Sequence, residues 1–273
     1  MTERLKAGRR LLLVDMGNTC MVVGLYREDD LLGRWQLSSE RNLTADELSL
    51  KLRGLLASLP GEPEPDELGV HPIDGIMAAS VVPHLDPVLS EACRQVFGAP
   101  PQYVGTAGVK TGMAVDYCNP REVGADRIVN AVAAREAFGA PVIVLDCGTA
   151  TTFDVISPQG HYAGGLILPG IEVSLSALSG RAAKLPEVSF APSDELIGRD
   201  TVGSMQAGSY WAAVDGLSGI IRRLKALPEY VEAPVVATGG LAARVVDALA
   251  DVDEYRPLLT LQGLLLLARR HFR

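Results

Sequence analysis

Leu11-Leu-Leu-Val-Asp15-Met-Gly17-Asn18-Thr19 returns, 131 residues later, as Val142-Ile-Val-Leu-Asp146-Cys-Gly148-Thr149-Ala150. In each copy a four-residue apolar run reads as a buried strand, the run ends in aspartate, and a glycine turn follows. The turn carries small hydroxyl or amide side chains into a second strand. Asp and Gly are also what ordinary tight turns use, so one copy by itself says little. Two copies, each opening one half of the chain, predict a duplicated domain whose two turns face each other across a cleft. The expected division is at residues 1–123 and 124–273.

The rest of the chain alternates strands with helices around these two turns. Leu11–Val14 and Met21–Tyr26 predict a strand hairpin. Thr44-x-x-Glu47 is a capping box that opens a helix carrying Leu48, Leu52, Leu55 and Leu59 on one stripe. Residues 60–72, rich in Pro, Gly and Glu, predict an exposed loop. Ile76–Val82 reads as a buried strand and Pro87–Phe97 as a helix with proline in its first turn. Further helices are expected at Ile128–Phe138, Gln206–Leu227, Leu241–Leu249 and Leu258–Arg269, with strands at Val142–Leu145 and Val235–Ala237. Such alternation defines an α/β protein.

Composition removes several function classes. The 273 residues carry a net charge of −8 and are 48% apolar. The negative balance argues against bulk attraction to nucleic acid or to an anionic membrane. Aromatic residues, at 5%, leave little material for stacking bases. No apolar run approaches the roughly 20 residues of a membrane-spanning helix, and Met1–Val14 does not read as a secretory signal. A soluble, cytoplasmic chain is expected. Cys20, Cys93, Cys118 and Cys147 form no Cys-x-x-Cys pair, and His71, His84, His161 and His271 are equally scattered. Reduced thiols are therefore expected, with no zinc site.

Glycine turns that expose backbone N–H groups bind phosphate. No Gly-Lys and no Gly-x-Gly occurs, so neither a P-loop nor a dinucleotide fingerprint is present. A hairpin type of phosphate site remains. Gly17 and Gly148 let the backbone approach a phosphate, and Asn18, Thr19, Thr149, Thr151 and Thr152 offer donors. The aspartate ending each strand suits a cation better than a phosphate, because adjacent anions repel.

These turns, with the later Thr238-Gly239-Gly240, resemble the superfamily of acetate kinase, sugar kinases, Hsp70 and actin. More narrowly, the chain resembles type III pantothenate kinase. That likeness rests on Tyr117-x-Asn119-Pro120-Arg121-Glu122-Val123-Gly124-Ala125-Asp126-Arg127, on Gly164-Gly165-x-Ile167-x-Pro169-Gly170 and on Gly198-x-x-Thr201. It runs in order through most of the chain. The resemblance implies two ribonuclease H-like, actin-like ATPase domains, and phosphoryl transfer from ATP to pantothenate in coenzyme A synthesis.

The resemblance also assigns residues. Asp15, Met16, Gly17, Asn18, Thr19, Cys20, Met21 and Val22 would form the first phosphate hairpin, with Asp15 near Mg²⁺, through water. Thr149 would contact phosphate, and Gly239 and Gly240 the adenosine. Asp146 would hold K⁺ or ammonium. Tyr117, Gly124, Ala125, Asp126 and Arg127 would surround pantothenate, joined by Thr201 from the second subunit of a homodimer. Asp126 takes the place of the proton acceptor. Its chemistry suits that role, since an aspartate can orient an alcohol and accept its proton late in the transfer. From spacing alone, Asp126 also reads as a helix-end residue favoured by the dipole. Asp200 stands before Thr201 where the family pattern has Asn. Other readings are another small-molecule kinase of the superfamily, or an accessory factor for transcription.

Overall fold

The computed structural model describes residues 8–272, so about half of Met1–Val14, the stretch weighed as a secretory signal, lies outside the described residues. Contacts divide the described chain into two compact units. The first takes residues 8–112, 121–129 and 260–272, and the second takes residues 113–120 and 130–259. Both units are built from separated stretches, where the sequence reading drew a single cut after residue 123.

The first unit holds a five-stranded sheet made of β1 (Arg10–Met16), β2 (Cys20–Arg27), β3 (Asp30–Ser38), β4 (Gly75–Ser80) and β5 (Gln102–Tyr103). Their order is β3-β2-β1-β4-β5, with β1–β2 and β2–β3 antiparallel and β1–β4 parallel. Helices α1 (Ala45–Ala57) and α2 (Asp86–Phe97) cover one face. There Leu12, Val14, Val23 and Leu25 meet Leu48, Leu52, Leu89 and Val96 in one buried cluster. Leu11 and Leu13, which alternate onto the opposite face of β1, are buried as well. A central strand buried on both faces is why its sequence is an unbroken apolar run.

Local chemistry sets the helix ends as expected. The Thr44 hydroxyl accepts from the Glu47 N–H at 3.2 Å, and the Glu47 carboxylate accepts from the Thr44 N–H at 2.9 Å. Such a cap stabilises by about 1 kcal/mol. Pro87 lies in the first turn of α2, and Gly98 ends that helix in the left-handed region, φ 75°.

The second unit repeats the topology. Its strands are β6 (Val142–Cys147), β7 (Ala150–Ile156), β8 (Tyr162–Pro169), β9 (Val235–Thr238) and β10 (Glu254–Tyr255), in the order β10-β9-β6-β7-β8. The internal echo is therefore a repeated sheet, with β6 in the place of β1. Helix α3 (Ala125–Phe138) precedes β6, α4 (Ile171–Arg181) and α5 (Thr201–Lys225) follow β8, and α6 (Leu259–His271) ends the chain. Ile143, Leu145, Phe153, Leu175, Val214 and Ile221 share the buried cluster between this sheet and α4 and α5. Residues 260–271 of α6 belong to the first unit, where Leu261 closes on Gly24 of β2 and Gly263 on Val129.

Three expectations change. Leu241–Leu249 is not an α-helix but two 3₁₀ turns, Ala242–Arg244 and Val246–Ala248. Its bonds reach back three residues, as from the Arg244 N–H to the Leu241 carbonyl at 3.0 Å. Ala242, Val245 and Leu249 are buried in the core cluster of the second unit, so the apolar pattern is used, but by tight turns that begin where Gly239 passes Asp146 and Cys147. Gly164 to Pro169, whose glycines and proline read as loop punctuation or as a pocket wall of backbone, lies in strand β8, which pairs along β7. Residues 60–72 form a loop, but an anchored one. The nearly buried Arg10 guanidinium pairs with Glu62 at 2.5 Å and donates to the Pro72 carbonyl at 2.9 Å. Among the described residues no helix is long and apolar enough to cross a membrane.

Candidate active site

Both glycine turns lie at the carboxyl ends of central strands, where open α/β sheets bind ligands. In the first unit, β1 and β4 run parallel and end together, with Asp15 beside Ala79 and Met16 beside Ser80. The Gly17 N–H donates to the Cys20 carbonyl at 3.0 Å, which closes a four-residue turn between Met16 and Met21. Asn18 and Thr19 at its tip are exposed, Asp15 is half-buried, and Val22 stands opposite Asp15. The Val81 N–H donates to the Met16 carbonyl at 3.1 Å, so the chain leaving β4 is fixed to the base of the turn.

Asp126 belongs to the same unit, and the bare Cα of Gly124 lies close to both Asp126 and Val81. A Cβ on Gly124 would stand 2.5 Å from Asp126 Oδ1 and 3.3 Å from Val81 Cγ1. The helix starts at Ala125, three residues before the expected Ile128, so Asp126 is inside its first turn and not at the capping position. Its Oδ1 accepts from the Arg127 N–H at 2.8 Å. Burial raises the carboxyl pKa above its ordinary 3.8, against the opposing pull of the Arg127 N–H and guanidinium. An aspartate desolvated in this way is a stronger base than one in water.

In the second unit the Gly148 N–H donates to the Ala150 carbonyl at 3.1 Å, within a turn one residue shorter than the first. Asp146 Oδ2 accepts from Asn130 Nδ2 at 2.9 Å. β9 runs parallel to β6 with Thr238 beside Asp146, and there the chain turns at Gly239 with φ +93°. Any Cβ at Gly239 would lie 2.5 Å from Asp146 Oδ1 and 2.6 Å from the Cys147 carbonyl oxygen. At Gly240, by contrast, nothing stands within 4 Å. Gly170 presses on the turn from the other side, because its Cβ would lie 2.1 Å from the Thr149 carbonyl oxygen. The structure thus brings Gly239 against Asp146 and the base of the turn that carries Thr149, with Gly240 next in the chain. The Cys147 thiol is pushed up to about 12 by burial, and burial also raises that of Cys20. Neither is a nucleophile at neutral pH.

Tyr117 and Thr201 are also in the second unit. Tyr117 is 40% exposed, with its ring edge-on to Tyr162 at 6.5 Å and its Cε2 3.6 Å from where a Gly164 Cβ would be. Thr201 opens α5, and Asp200 caps that helix by accepting from the Gly203 N–H at 2.8 Å. Aspartate caps as well as asparagine does, so the change at this position keeps the helix start. A groove of about 1080 Å³ runs between α4 and α5, lined by Thr201, Ile171, Leu175, Leu178 and Met205.

Two contributors escaped the sequence reading. Asn130 was hidden in an apolar helical run, yet a single amide between Val129 and Ala131 is itself a signal. Gly170, at the end of the Gly164–Gly170 motif, reads as loop punctuation or as part of a pocket wall made of backbone, neither of which gives its contact with the Thr149 carbonyl. Its role depends on a close approach that no local pattern encodes.

The sequence profile described as type III pantothenate kinase matches residues 11–223. The type III pantothenate kinase of Moorella thermoacetica is 46% identical over 261 residues, covering 96% of this chain and 99% of the relative. That of Streptomyces avermitilis is 43% identical over 265 residues, with 96% and 98% covered. That of Listeria innocua is 44% identical over 261 residues, with 96% and 97% covered. Among solved structures, MreB 5 of Spiroplasma citri bound to AMPPNP is similar at a TM-score of 0.53 and 7% identity, over 96% of both chains. The ethanolamine utilization protein EutJ of Carboxydothermus hydrogenoformans has a TM-score of 0.51 at 14% identity, over 94% of this chain and 89% of its own. Those two likenesses bear on the fold alone, an α/β architecture with two mixed sheets.

Proposed function

The chain belongs to the type III pantothenate kinase family, and we propose that it transfers the γ-phosphoryl group of ATP to the 4′-hydroxyl of pantothenate in the cytoplasm, at the entry to coenzyme A synthesis. The observation that carries the reading is the repeated Asp-x-Gly turn, set at the same strand end of two sheets of the same order. The two repeated sheets are read as the cores of two ATPase domains, the strands of the first lying within residues 1–123 and those of the second within residues 124–273.

In this reading the N–H groups and side chains from Gly17 to Thr19, with the Thr149 hydroxyl, hold the ATP phosphates. Gly239 and Gly240 admit the adenosine, since the open side of Gly240 leaves room for a flat group. Tyr117 and residues Gly124 to Arg127 hold pantothenate, and the Arg127 guanidinium offers a forked donor to its carboxylate. Asp126 orients the hydroxyl and accepts its proton as the new P–O bond forms. Its raised pKa favours that transfer.

The residues fit the ions that the family implies. Among the described residues no group of three His, Cys, Asp or Glu side chains gathers as a metal centre. Asp15 is a single half-buried carboxylate, which suits Mg²⁺, an ion that keeps its waters and takes phosphate oxygens. Asp146 Oδ2 accepts from the Asn130 amide, while Oδ1 and the Cys147 carbonyl oxygen both stand beside Gly239, a pair of oxygens suited to a hard cation such as K⁺ or to ammonium. When bound, such ions supply positive charge that offsets the phosphate charge of the transition state.

The enzyme works as a homodimer in this reading, with Thr201 serving the second subunit's pocket. The α4–α5 groove supports it, as do Leu196 and Ile197, which are 73% and 78% exposed just before α5. Apolar surface of that kind marks protein contacts. A coupled assay of ADP formation tests the function. Turnover should require pantothenate, and turnover with acetate or glucose in its place, or none with any acceptor, overturns the reading.

A further inference from the structure

Asp154 and Tyr162 are both fully buried in the second unit, and neither has a part in the reaction as described above. We propose that Asp154 is a positioning residue for the acceptor substrate, acting through Tyr162 on Tyr117. The inference rests on the reading that Tyr117 contacts pantothenate.

The geometry runs as one chain of contacts. The Tyr162 hydroxyl donates to Asp154 Oδ1 at 2.8 Å, and the Thr152 hydroxyl donates to Oδ2 at 3.4 Å. Both carboxylate oxygens are therefore engaged inside the protein. A buried carboxylate is costly to keep, and an apolar pair of similar volume would be the more stable filling. What the polar pair adds is direction. A phenylalanine ring can slide and tilt in its slot, whereas a tyrosine hydroxyl bonded to a fixed carboxylate sets the ring along its long axis.

That ring meets Tyr117 edge-on, at 6.5 Å between centroids and 62° between planes. The backbone of Tyr162 also grips the segment leading to Tyr117. Its N–H donates to the Ala114 carbonyl at 2.8 Å, and its carbonyl accepts from the Asp116 N–H at 2.9 Å. Gly164, at φ +120°, presents a bare strand against the Tyr117 ring. Tyr117 is half-exposed, so it owes its orientation to this underside. At the other end, Thr152 stands opposite Asp146 in the β6–β7 register. Asp154 thus lies between a residue paired with the cation-site aspartate and the ring beneath an acceptor-site tyrosine.

The test measures KM for pantothenate, KM for ATP and kcat in Tyr162→Phe, Asp154→Asn, Tyr117→Ala and the Tyr117→Ala/Tyr162→Phe double variant. Tyr162→Phe should raise KM for pantothenate about five- to tenfold, the worth of one hydrogen bond, and leave KM for ATP within about twofold. Asp154→Asn keeps an oxygen that can accept from Tyr162 and should retain most of the wild-type pantothenate affinity. Asp154→Ala, measured beside it, removes the acceptor and should match Tyr162→Phe; a folded Asp154→Ala protein with the wild-type KM for pantothenate overturns the role of Asp154. In the Tyr117→Ala background the Tyr162 change should add nothing, because the two act as one unit. Additive effects of Tyr162→Phe and Tyr117→Ala, equal rises in both KM values, or an unmoved pantothenate KM in Tyr162→Phe each overturn the positioning role. If Asp154→Asn does not fold, the tyrosine cycle decides by itself. A wild-type protein without pantothenate-dependent turnover overturns the proposed function and this inference together, a result distinct from those above.

Discussion

Replacing Gly170 by alanine is the sharpest probe of how the second phosphate turn is held. Gly170 precedes α4 with φ −62° and ψ 156°, angles open to any residue, so alanine meets no backbone objection there. The obstacle is contact. The new methyl would lie 2.1 Å from the Thr149 carbonyl oxygen and 2.8 Å from both the Thr149 carbonyl carbon and the Gly148 oxygen. An ordinary contact is about 3.5 Å, so turn and helix must separate by roughly 1 Å or more. All three atoms are backbone, and no rotamer change can relieve them. Overpacking of this kind costs about 1–3 kcal/mol, which lowers Tm by roughly 2–12 °C in a chain of this size. The larger effect falls on function, because a displacement of about 1 Å at a reacting group costs on the order of 10²-fold. Turnover by the coupled assay, together with the Tm rise on adding ATP, measures both. The control is Gly180→Ala inside α4, where nothing lies within 4 Å and alanine should stabilise by about 0.5–1 kcal/mol. A Gly170→Ala protein with wild-type turnover, ATP response and Tm would refute the idea that this contact sets the turn.

Asp126→Asn should lower kcat by roughly 10²–10⁴-fold while ATP still raises Tm, and the wild-type acid limb of kcat/KM should lie above pH 3.8, since burial raises this pKa. The same shift fixes the sign for stability. Asp126 favours the folded state below its unfolded pKa and loses that contribution as pH rises through the folded one, so the Asn variant should melt no lower than wild type at neutral pH; a folded variant with near wild-type kcat leaves Asp126 as a structural residue. Asp146→Asn should abolish the difference in rate between K⁺ and Na⁺ buffers, and equal wild-type rates in the two would remove the cation assignment. Iodoacetamide at pH 8, read by mass spectrometry, should label exposed Cys118 in the native protein but reach Cys93 and Cys147, both pushed up to about 12 by burial, only after denaturation; native labelling of Cys147 would show the second turn to be open.

Much of this protein is determined within a few residues of chain. The Thr44–Glu47 cap, the proline start of α2, the apolar runs of β1 and β6 and the glycine turns after Asp15 and Asp146 follow from local chemistry, and the structure reproduces each of them. The duplication is legible for the same reason, since two copies of one short strand-and-turn pattern lie in register in the chain. Tertiary structure decides what depends on distant approach. Leu241–Leu249 carries a helical pattern, yet it is held as two tight turns after Gly239, which must pass close to Asp146 and Cys147. Gly170 matters because of a carbonyl 21 residues away in the chain, and Asp154 because β8 brings a tyrosine hydroxyl to it. Residues 260–271 of the last helix group with the opening strands, a pairing that no spacing along the chain encodes. A single chain shows its turns, caps and periodicities directly, because those energies act between near neighbours. Register and close backbone contact arise only when distant segments meet, and so they belong to the folded molecule.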